Sequence, residues 1–297
     1  MSSFANQIIT SQGFEYGVKH FLSQKNGNTL DIISTTLTLS EDQTLFLLQL
    51  GCVYINSKRV DNPAFTINTN DHIRVHTKPR RYQTHYDWKH LIAFDHVDFV
   101  VLNKPANLPS HPSVDNQLEN SLTQLSLYLN QKLHVTHRLD SLTQGLIVYG
   151  KNTQFVNSFN KQLQNNHITK KYVALVETTK KLDHHLIHYM EKTPRAPKNV
   201  SPIFHEGWDL CELKIEEQKI FESYSWIKIN LLTGRTHQIR SQCSNSEAPI
   251  LGDTLYGSTF PFKNEQIALR AQEIEFVWLN QSHNIKLSEE FDLPLSN

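Results

Sequence analysis

The sequence is poor in cysteine and has no long apolar run. Its three cysteines, Cys52, Cys211 and Cys243, lie far apart, which argues against a disulfide framework or a zinc site and fits a reducing compartment. No apolar stretch approaches the length that crosses a membrane. The first residues, MSSFANQIITSQGF, lack the basic start and apolar core of a signal peptide. We therefore expect a cytoplasmic protein with no membrane partner.

Several catalytic signatures are also missing. The sequence contains no complete GxxxxGK[ST] phosphate-binding loop, no HExxH motif and no nucleophile elbow, so nucleotide hydrolysis is not indicated. Its sixteen histidines are scattered, without the spacing of a metal site. We expect neither a metal nor a bound cofactor.

The charges balance overall but are segregated along the chain. There are 29 basic and 29 acidic residues, which taken alone argues weakly against a nucleic-acid partner. Residues 132–176 hold six Lys or Arg, with Asp140 as their sole acidic residue, whereas residues 206–222 hold six Asp or Glu and two Lys. A cationic tract around one carboxylate suggests an anionic substrate, and a solvated lysine face is the plain alternative.

Length and pattern predict two domains. Residues 1–76 read as a small unit in which SEDQ gives a capping-box start to a helix and short strands follow. In the last strand, alternation predicts that Ile73 and Val75 face inward and that Arg74 and His76 face outward.

Residues 77–90 are basic, aromatic and interrupted by proline, and they read as a linker. Arg80 and Arg81, with two nearby tyrosines, are candidates for contacting RNA by charge and stacking. A plain linker is an equally open interpretation. Residues 91–297 form the main body, where helices and strands mix without a strict βαβ alternation, so an α+β fold is predicted.

The segment HRLDSLTQGLIVYGK surrounds the first candidate for chemistry, Asp140. It lies before a strand and is bracketed by His137 and Arg138, a setting that favours the ionised carboxylate. An ionised carboxylate can attack the anomeric carbon of a sugar. The local sequence leaves a structural ion pair equally open.

Two further segments carry candidate residues. In LLTGRTHQIR, Gly234 permits a turn before a helix, where amide groups and Arg235 could hold a phosphate. Arg240 lies one turn further on, and an ordinary surface arginine is its alternative. In KKYVALV, Tyr172 belongs to a strand, where it is a core residue, or else stacks on a base or exchanges a proton.

Taken in order, these segments resemble the RluA-type pseudouridine synthases. The similarity covers residues 91–257, from FDHVDFVVLNKPANLPSHPS to LLTGRTHQIRSQCSNSEAPILGDTLYG. Residues 40–76 resemble a small RNA-binding domain named after a ribosomal small-subunit protein. The resemblance implies an α+β catalytic body with a mixed, largely antiparallel sheet flanked by helices and loops, preceded by a small α/β RNA-binding domain.

The resemblance also implies a reaction, the isomerisation of a uridine already in RNA. The base is detached, rotated and rejoined through a ring carbon, which needs no cofactor. Asp140 matches the catalytic aspartate, and Arg240 matches the basic residue that pairs with it. Tyr172 matches the tyrosine that packs on the base and is proposed as a proton acceptor. Arg138 matches the arginine that displaces the base from its stack.

RNA is the expected partner, and DNA is not. Ribosomal RNA of the large subunit is favoured, transfer RNA comes second, and a monomer is the default. The predicted RNA-binding residues are Arg138, His137, Arg235, Lys170, Lys171, Arg80 and Arg81.

Three residues depart from the family pattern and leave specificity open. Gln144 stands where serine is usual, Asn107 where glycine is usual, and Arg270 where histidine is common. An RNA-binding or chaperone protein of the same fold without turnover is therefore an alternative. A glycoside hydrolase ranks last, because the tract around Asp140 offers no second carboxylate.

Overall fold

The computed structural model describes residues 17–263 and 266–288. The N-terminal segment in which no signal peptide is predicted lies outside these residues. Among the helices described, none has the length and apolar character needed to cross a membrane.

The helices are α1 (Thr29–Leu37), α2 (Glu41–Gln49), α3 (Trp88–Leu91), α4 (Ser121–Tyr128), α5 (Thr153–Gln164) and α6 (Gln238–Asn245), with a short 3-10 helix at Thr254–Tyr256. The first eight strands are β1 (Val18–Leu22), β2 (Gly27–Asn28), β3 (Val53–Ile55), β4 (Lys58–Arg59), β5 (Thr66–Ile67), β6 (His72–His76), β7 (Ile92–Asp95) and β8 (Phe99–Lys104). The later strands are β9 (His134–Val135), β10 (Gln144–Gly150), β11 (Thr169–Val176), β12 (His185–Met190), β13 (Val200–Ser201), β14 (Asp209–Ile220), β15 (Ser225–Leu231), β16 (Leu269–Trp278) and β17 (Gln281–Lys286).

Residues 17–86 and 108–130 form one compact unit. Its sheet has the order β1-β6-β3-β4. The capping box is confirmed, because Ser40 and Gln43 exchange side-chain and backbone hydrogen bonds at the start of α2. Ile73 and Val75 are buried as predicted.

The predicted outward position of His76 is wrong. Its side chain is only 5% exposed, and its ring lies edge-on to Tyr54. Alternation predicts which face of a strand a side chain occupies, but it does not predict whether other residues cover that face. Burial lowers the pKa of His76, with a smaller effect from the charge of Arg74.

Part of the predicted linker is held within this unit by ion pairs. The Arg80 guanidinium donates to Asp115, and the Arg81 guanidinium donates to Glu119. These pairs bind the segment to residues 108–130, which lie far from it in sequence. The boundaries at 1–76, 77–90 and 91–297 stay a prediction.

Residues 87–107 and 131–288, as far as they are described, form the second unit. Its sheet has the order β13-β12-β14-β15-β11-β16-β10-β8-β7, with β9 on β10 and β17 on β16. Its pairings are antiparallel except that between β10 and β16. The predicted α+β class and mixed, largely antiparallel sheet are confirmed. Phe155 and Phe159 of α5 pack against Phe99 and Phe276 of the sheet.

A close approach between β10 and β16 depends on glycine. Gly145 has φ +107°, and a Cβ atom there would lie 2.2 Å from the Ala271 carbonyl oxygen. Ala271 is also the register partner of Tyr172 on β11. The bare backbone of Gly145 therefore lets three neighbouring strands meet beside the end of the Asp140 loop.

We expect Gly145→Ala to lower the free energy of unfolding by about 2–4 kcal/mol, from the clash and the left-handed backbone together. Gly207→Ala is the matched control, since Gly207 has φ +80° and open space around it. Urea unfolding of both variants measures the difference. Equal losses would show that backbone strain alone, and not the close approach, requires glycine.

Candidate active site

Asp140 lies in the loop between β9 and β10, with its side chain 23% exposed. The Lys104 ammonium, at the end of β8, donates to the carbonyl oxygens of Pro105 at 2.9 Å and Ser141 at 3.2 Å. It thereby ties the residue after Asp140 to the sheet. Burial lowers the pKa of Lys104 to about 7, against the opposing effect of the Asp140 charge. The loop is fixed while the carboxylate stays accessible.

Arg240 faces Asp140 from the first turns of α6. Its Nε and Nη2 atoms donate to the two carboxylate oxygens of Asp253 at 2.6 and 2.8 Å. Its Nη1 atom lies 3.8 Å from Asp140 Oδ2. Arg240 is only 2% exposed, so the alternative of a surface arginine is excluded. The guanidinium is held by one carboxylate and presented to another.

His237 approaches the same carboxylate oxygen. Its Nε2 atom lies 3.8 Å from Asp140 Oδ2, and its Nδ1 atom is hydrogen-bonded to the Tyr256 hydroxyl at 3.0 Å. Its backbone is left-handed, with φ 58°, an uncommon conformation for a non-glycine residue. The Tyr256 ring also lies 4.8 Å from the Arg240 guanidinium carbon. Tyr256 therefore supports both groups that face Asp140.

Tyr172 lies near Asp140 and is 7% exposed. Burial, and to a lesser degree the Asp140 charge, raise the pKa of Tyr172 far above its usual value. The phenol is therefore protonated at neutral pH. This favours the packing role implied for the tyrosine over its role as a proton acceptor.

His137 does not provide a cation beside Asp140. Its Nε2 atom accepts a hydrogen bond from the Val148 amide at 3.1 Å, and its ring stacks on Phe159. Burial, together with the charge of Lys170, lowers the pKa of His137 to about 3. The imidazole is therefore neutral at physiological pH, and its RNA-binding role stays a prediction.

The other predicted RNA-binding residues of this unit have different surroundings. Arg138 is exposed next to Asp140. The Arg235 guanidinium is 47% exposed and lies 3.6 Å from a carboxylate oxygen of Asp209. Lys171 forms an ion pair with Glu216 at 3.2 Å. Lys170, by contrast, lies against the turn that precedes α6. Arg80 and Arg81 belong to the N-terminal unit described above.

Four residues of the site escaped the sequence analysis, namely Lys104, His237, Asp253 and Tyr256. All four lie within segments that carry the family resemblance, NKPAN, TGRTHQIR and GDTLYG. Their membership of those segments was the signal available in the sequence. Only the fold shows that they converge on Asp140.

The three residues that depart from the family pattern lie in two places in the fold. Asn107 has φ 60°, a conformation that glycine adopts freely and that asparagine tolerates. Gln144 and Arg270 are register partners in the parallel pairing of β10 with β16. The first departure keeps the backbone conformation, and the other two are neighbours.

The arrangement suits chemistry at an electrophilic carbon. A partly exposed carboxylate faces a fixed guanidinium, and a buried tyrosine lies beside it. At 3.8 Å the guanidinium attracts Asp140 without a hydrogen bond, so the carboxylate oxygens stay available to a substrate. In the part of the chain that the structure describes, no three His, Cys, Asp or Glu side chains are placed to hold a metal ion.

Comparison with known proteins identifies the family. A family model described as RNA pseudouridylate synthase matches residues 98–245. A Haemophilus influenzae protein named as an uncharacterized RNA pseudouridine synthase is 33% identical over 199 residues, covering 64% of this chain and 83% of that protein. The chain belongs to the RNA pseudouridine synthase family.

Other members of the family differ in how much of their length matches this chain. A rice protein named RNA pseudouridine synthase 6, chloroplastic, is 32% identical over 67% of this chain and 46% of its own length. The chain thus spans about half the length of that relative. A Buchnera aphidicola protein named ribosomal large subunit pseudouridine synthase C is 26% identical over 83% of this chain and 84% of its own.

The fold has counterparts among solved structures of this family. Human RNA pseudouridylate synthase domain containing 4 matches with a TM-score of 0.57 and 19% identity, over 69% of this chain and 90% of that one. At this identity the likeness concerns the fold alone.

Replacing His137 by Gln is expected to reduce the acid sensitivity of the fold. An unfolded chain takes up a proton as pH falls through about 6.5, whereas folded His137 does so only near pH 3. Acidification therefore destabilises the wild type, and the effect vanishes above pH 6.5. Between pH 7 and 4.5, the wild type is expected to lose about 2.5 kcal/mol more than the variant.

Denaturant unfolding at the two pH values checks this, with His167→Gln as the control for losing an exposed histidine. Gln retains an acceptor for the Val148 amide, so packing is largely kept. Parallel pH curves for wild type and His137→Gln would contradict the neutral assignment.

Asp253→Asn is expected to cost about 3–5 kcal/mol of unfolding free energy, because it leaves the buried Arg240 charge uncompensated. Asp209→Asn removes the carboxylate of an exposed pair with Arg235 and is expected to cost at most about 1 kcal/mol. Thermal and urea unfolding measure both. A similar small loss for the two variants would show that the Arg240–Asp253 pair contributes little.

Proposed function

We propose that the chain is an RNA pseudouridine synthase, an isomerase that converts uridines within RNA to pseudouridine through Asp140. The observation that carries the proposal is the convergence of Asp140 with Arg240 and Tyr172, at matching family positions. Family membership supports the same reaction. Because the bonds broken and formed balance within one nucleotide, the reaction draws on no cofactor.

Each residue has a role that its surroundings support. Asp140 acts on the sugar while the base is detached, and its 23% exposure leaves it open to a nucleotide. Arg240 orients Asp140 and is itself held by Asp253. Tyr172 packs against the base. Lys104, His237 and Tyr256 hold the loop and the facing groups in position.

The target atoms are out of reach inside a stacked helix, so the nucleotide must leave the stack, at a cost of a few kcal/mol. Arg138 is exposed beside Asp140, which is consistent with a part in displacing the base. The cationic tract 132–176 offers charge for the RNA backbone. A zero net charge therefore does not argue against RNA as the partner.

Ribosomal RNA of the large subunit is the favoured target. The name of the Buchnera relative supports it, since that relative covers 83% of this chain. The resemblance of residues 40–76 to a ribosomal-protein RNA-binding domain points the same way. Transfer RNA is the second candidate. We further infer a monomer that acts in the cytoplasm, with no membrane or DNA partner.

A protein of the same fold that binds RNA without turnover is the alternative function. The departures at Gln144, Asn107 and Arg270 favour it. The close placement of Arg240 and His237 around Asp140 argues against it, as does the mainly structural setting of Asn107. A glycoside hydrolase remains disfavoured, because Arg240 and His237, which face Asp140, are basic groups rather than a second carboxylate.

The decisive experiment maps pseudouridine in RNA from cells that lack this gene, after treatment with the purified chain. Carbodiimide labelling and primer extension are expected to give a new stop on ribosomal RNA. Asp140→Asn is expected to reduce its formation at least about 100-fold, because the reacting carboxylate is lost.

Asp183→Asn, which changes an exposed carboxylate shortly before β12, is the matched control and is expected to retain activity. A stop that persists undiminished with Asp140→Asn would refute the role of Asp140. If no RNA shows a stop while the chain still binds RNA, the binding function without turnover is supported instead.

A further inference from the structure

The sequence does not distinguish Lys170 from Lys171, two neighbouring residues of β11, but the fold gives their side chains different surroundings. Neighbouring residues of a strand point to opposite faces. Lys171 forms an ion pair with Glu216 of β14 at 3.2 Å. Lys170 points to the other face, which it shares with Tyr172 by alternation.

The ammonium of Lys170 lies against a glycine turn. Its Nζ atom is 3.1 Å from the position that a Cβ atom would occupy on Gly234. Gly234 and the next two residues are exposed. The turn follows the end of β15, the strand that pairs with β11. A side chain at residue 234 would crowd the ammonium, so the glycine lets this partly buried cation approach the exposed backbone of the turn.

Among the residues that the structure describes, no carboxylate lies beside the charge of Lys170. Within residues 17–263 and 266–288, no Asp or Glu lies within ion-pair distance of its ammonium. Burial lowers the pKa of Lys170, and no neighbouring negative charge offsets that effect. A partly buried cation without a counter-charge is costly. An anionic ligand would supply the missing charge.

The position relative to Asp140 indicates which anion. Lys170 precedes Tyr172 by two residues on one face, a step of about 6–7 Å along the strand. Its charge also affects His137, which lies three residues before Asp140. The ammonium therefore lies beside the active site, on the side of the turn that leads into α6.

We propose that Lys170 and the Gly234 turn form the seat of one backbone phosphate of the RNA, at or next to the nucleotide that enters the Asp140 site. The inference rests on the proposed function, and it assigns separate roles to two lysines that the sequence could not distinguish. Lys171 is neutralised within the protein, whereas Lys170 is neutralised by the substrate.

The test is the affinity of the chain for a labelled RNA hairpin with a uridine loop, measured across a salt series. Lys170→Met is expected to weaken binding about 10-fold at low salt, as for a lost hydrogen bond to a charged group. It is also expected to reduce the slope of log affinity against log salt by about 0.7–0.9, the effect of one phosphate contact.

Lys228→Met is the matched control. Lys228 is a partly buried lysine of the adjacent strand, on the opposite face, and lies 4.0 Å from Glu216. The Lys228→Met change is expected to alter affinity less than about 2-fold, with an unchanged slope.

Gly234→Ala keeps every charge but crowds the ammonium of Lys170, and it is also expected to weaken RNA binding.

The outcomes separate the two proposals. If the wild-type chain binds RNA and Lys170→Met leaves both affinity and slope unchanged, the phosphate seat is refuted and the proposed function stands. Equal losses for Lys170→Met and Lys228→Met would also refute it. If the wild-type chain binds no RNA, the proposed function and the phosphate seat fail together.

Discussion

The buried ion pair of Arg240 and Asp253 is the interaction on which the site depends. Removing two charges from water costs several kcal/mol each, and only good geometry with additional hydrogen bonds offsets that cost. Here the pair is bidentate, which fixes the plane of the guanidinium. The third nitrogen of Arg240 is then directed toward Asp140. Asp140 thus meets a cation whose position is set before any substrate arrives, which is the preorganisation that charge stabilisation requires.

The segregated charges along the sequence become paired in the fold. The acidic segment 206–222 corresponds largely to β14, which lies in the sheet next to β15 and β12. Its carboxylates contact Lys171, Lys228 and Arg235. Of the six basic residues in the tract 132–176, Lys171 is paired in this way and Lys151 pairs with Asp95. The cations that remain available to an anion are therefore fewer than the sequence suggests.

Local patterns predicted those parts of the structure that depend on local physics. The capping box at Ser40 and the buried alternation of β6 follow from hydrogen bonding and periodicity within a few residues. The positions of Asp140 and Arg240 followed from the family resemblance. The burial of His76 depends on what covers the second face of β6, and the neutral state of His137 depends on the Val148 amide and the Phe159 ring. Such contacts join distant segments, so no short pattern reveals them.

The same reasoning applies to Asp253 and Tyr256, which reach Arg240 and His237 from a separate turn. The parallel pairing of β10 with β16 also places two of the departures from the family pattern side by side. Gln144 and Arg270 are adjacent there, on strands about 4.8 Å apart. A change of volume or charge at one of these positions alters the surroundings of the other. The two departures therefore share one location, at the junction of two strands.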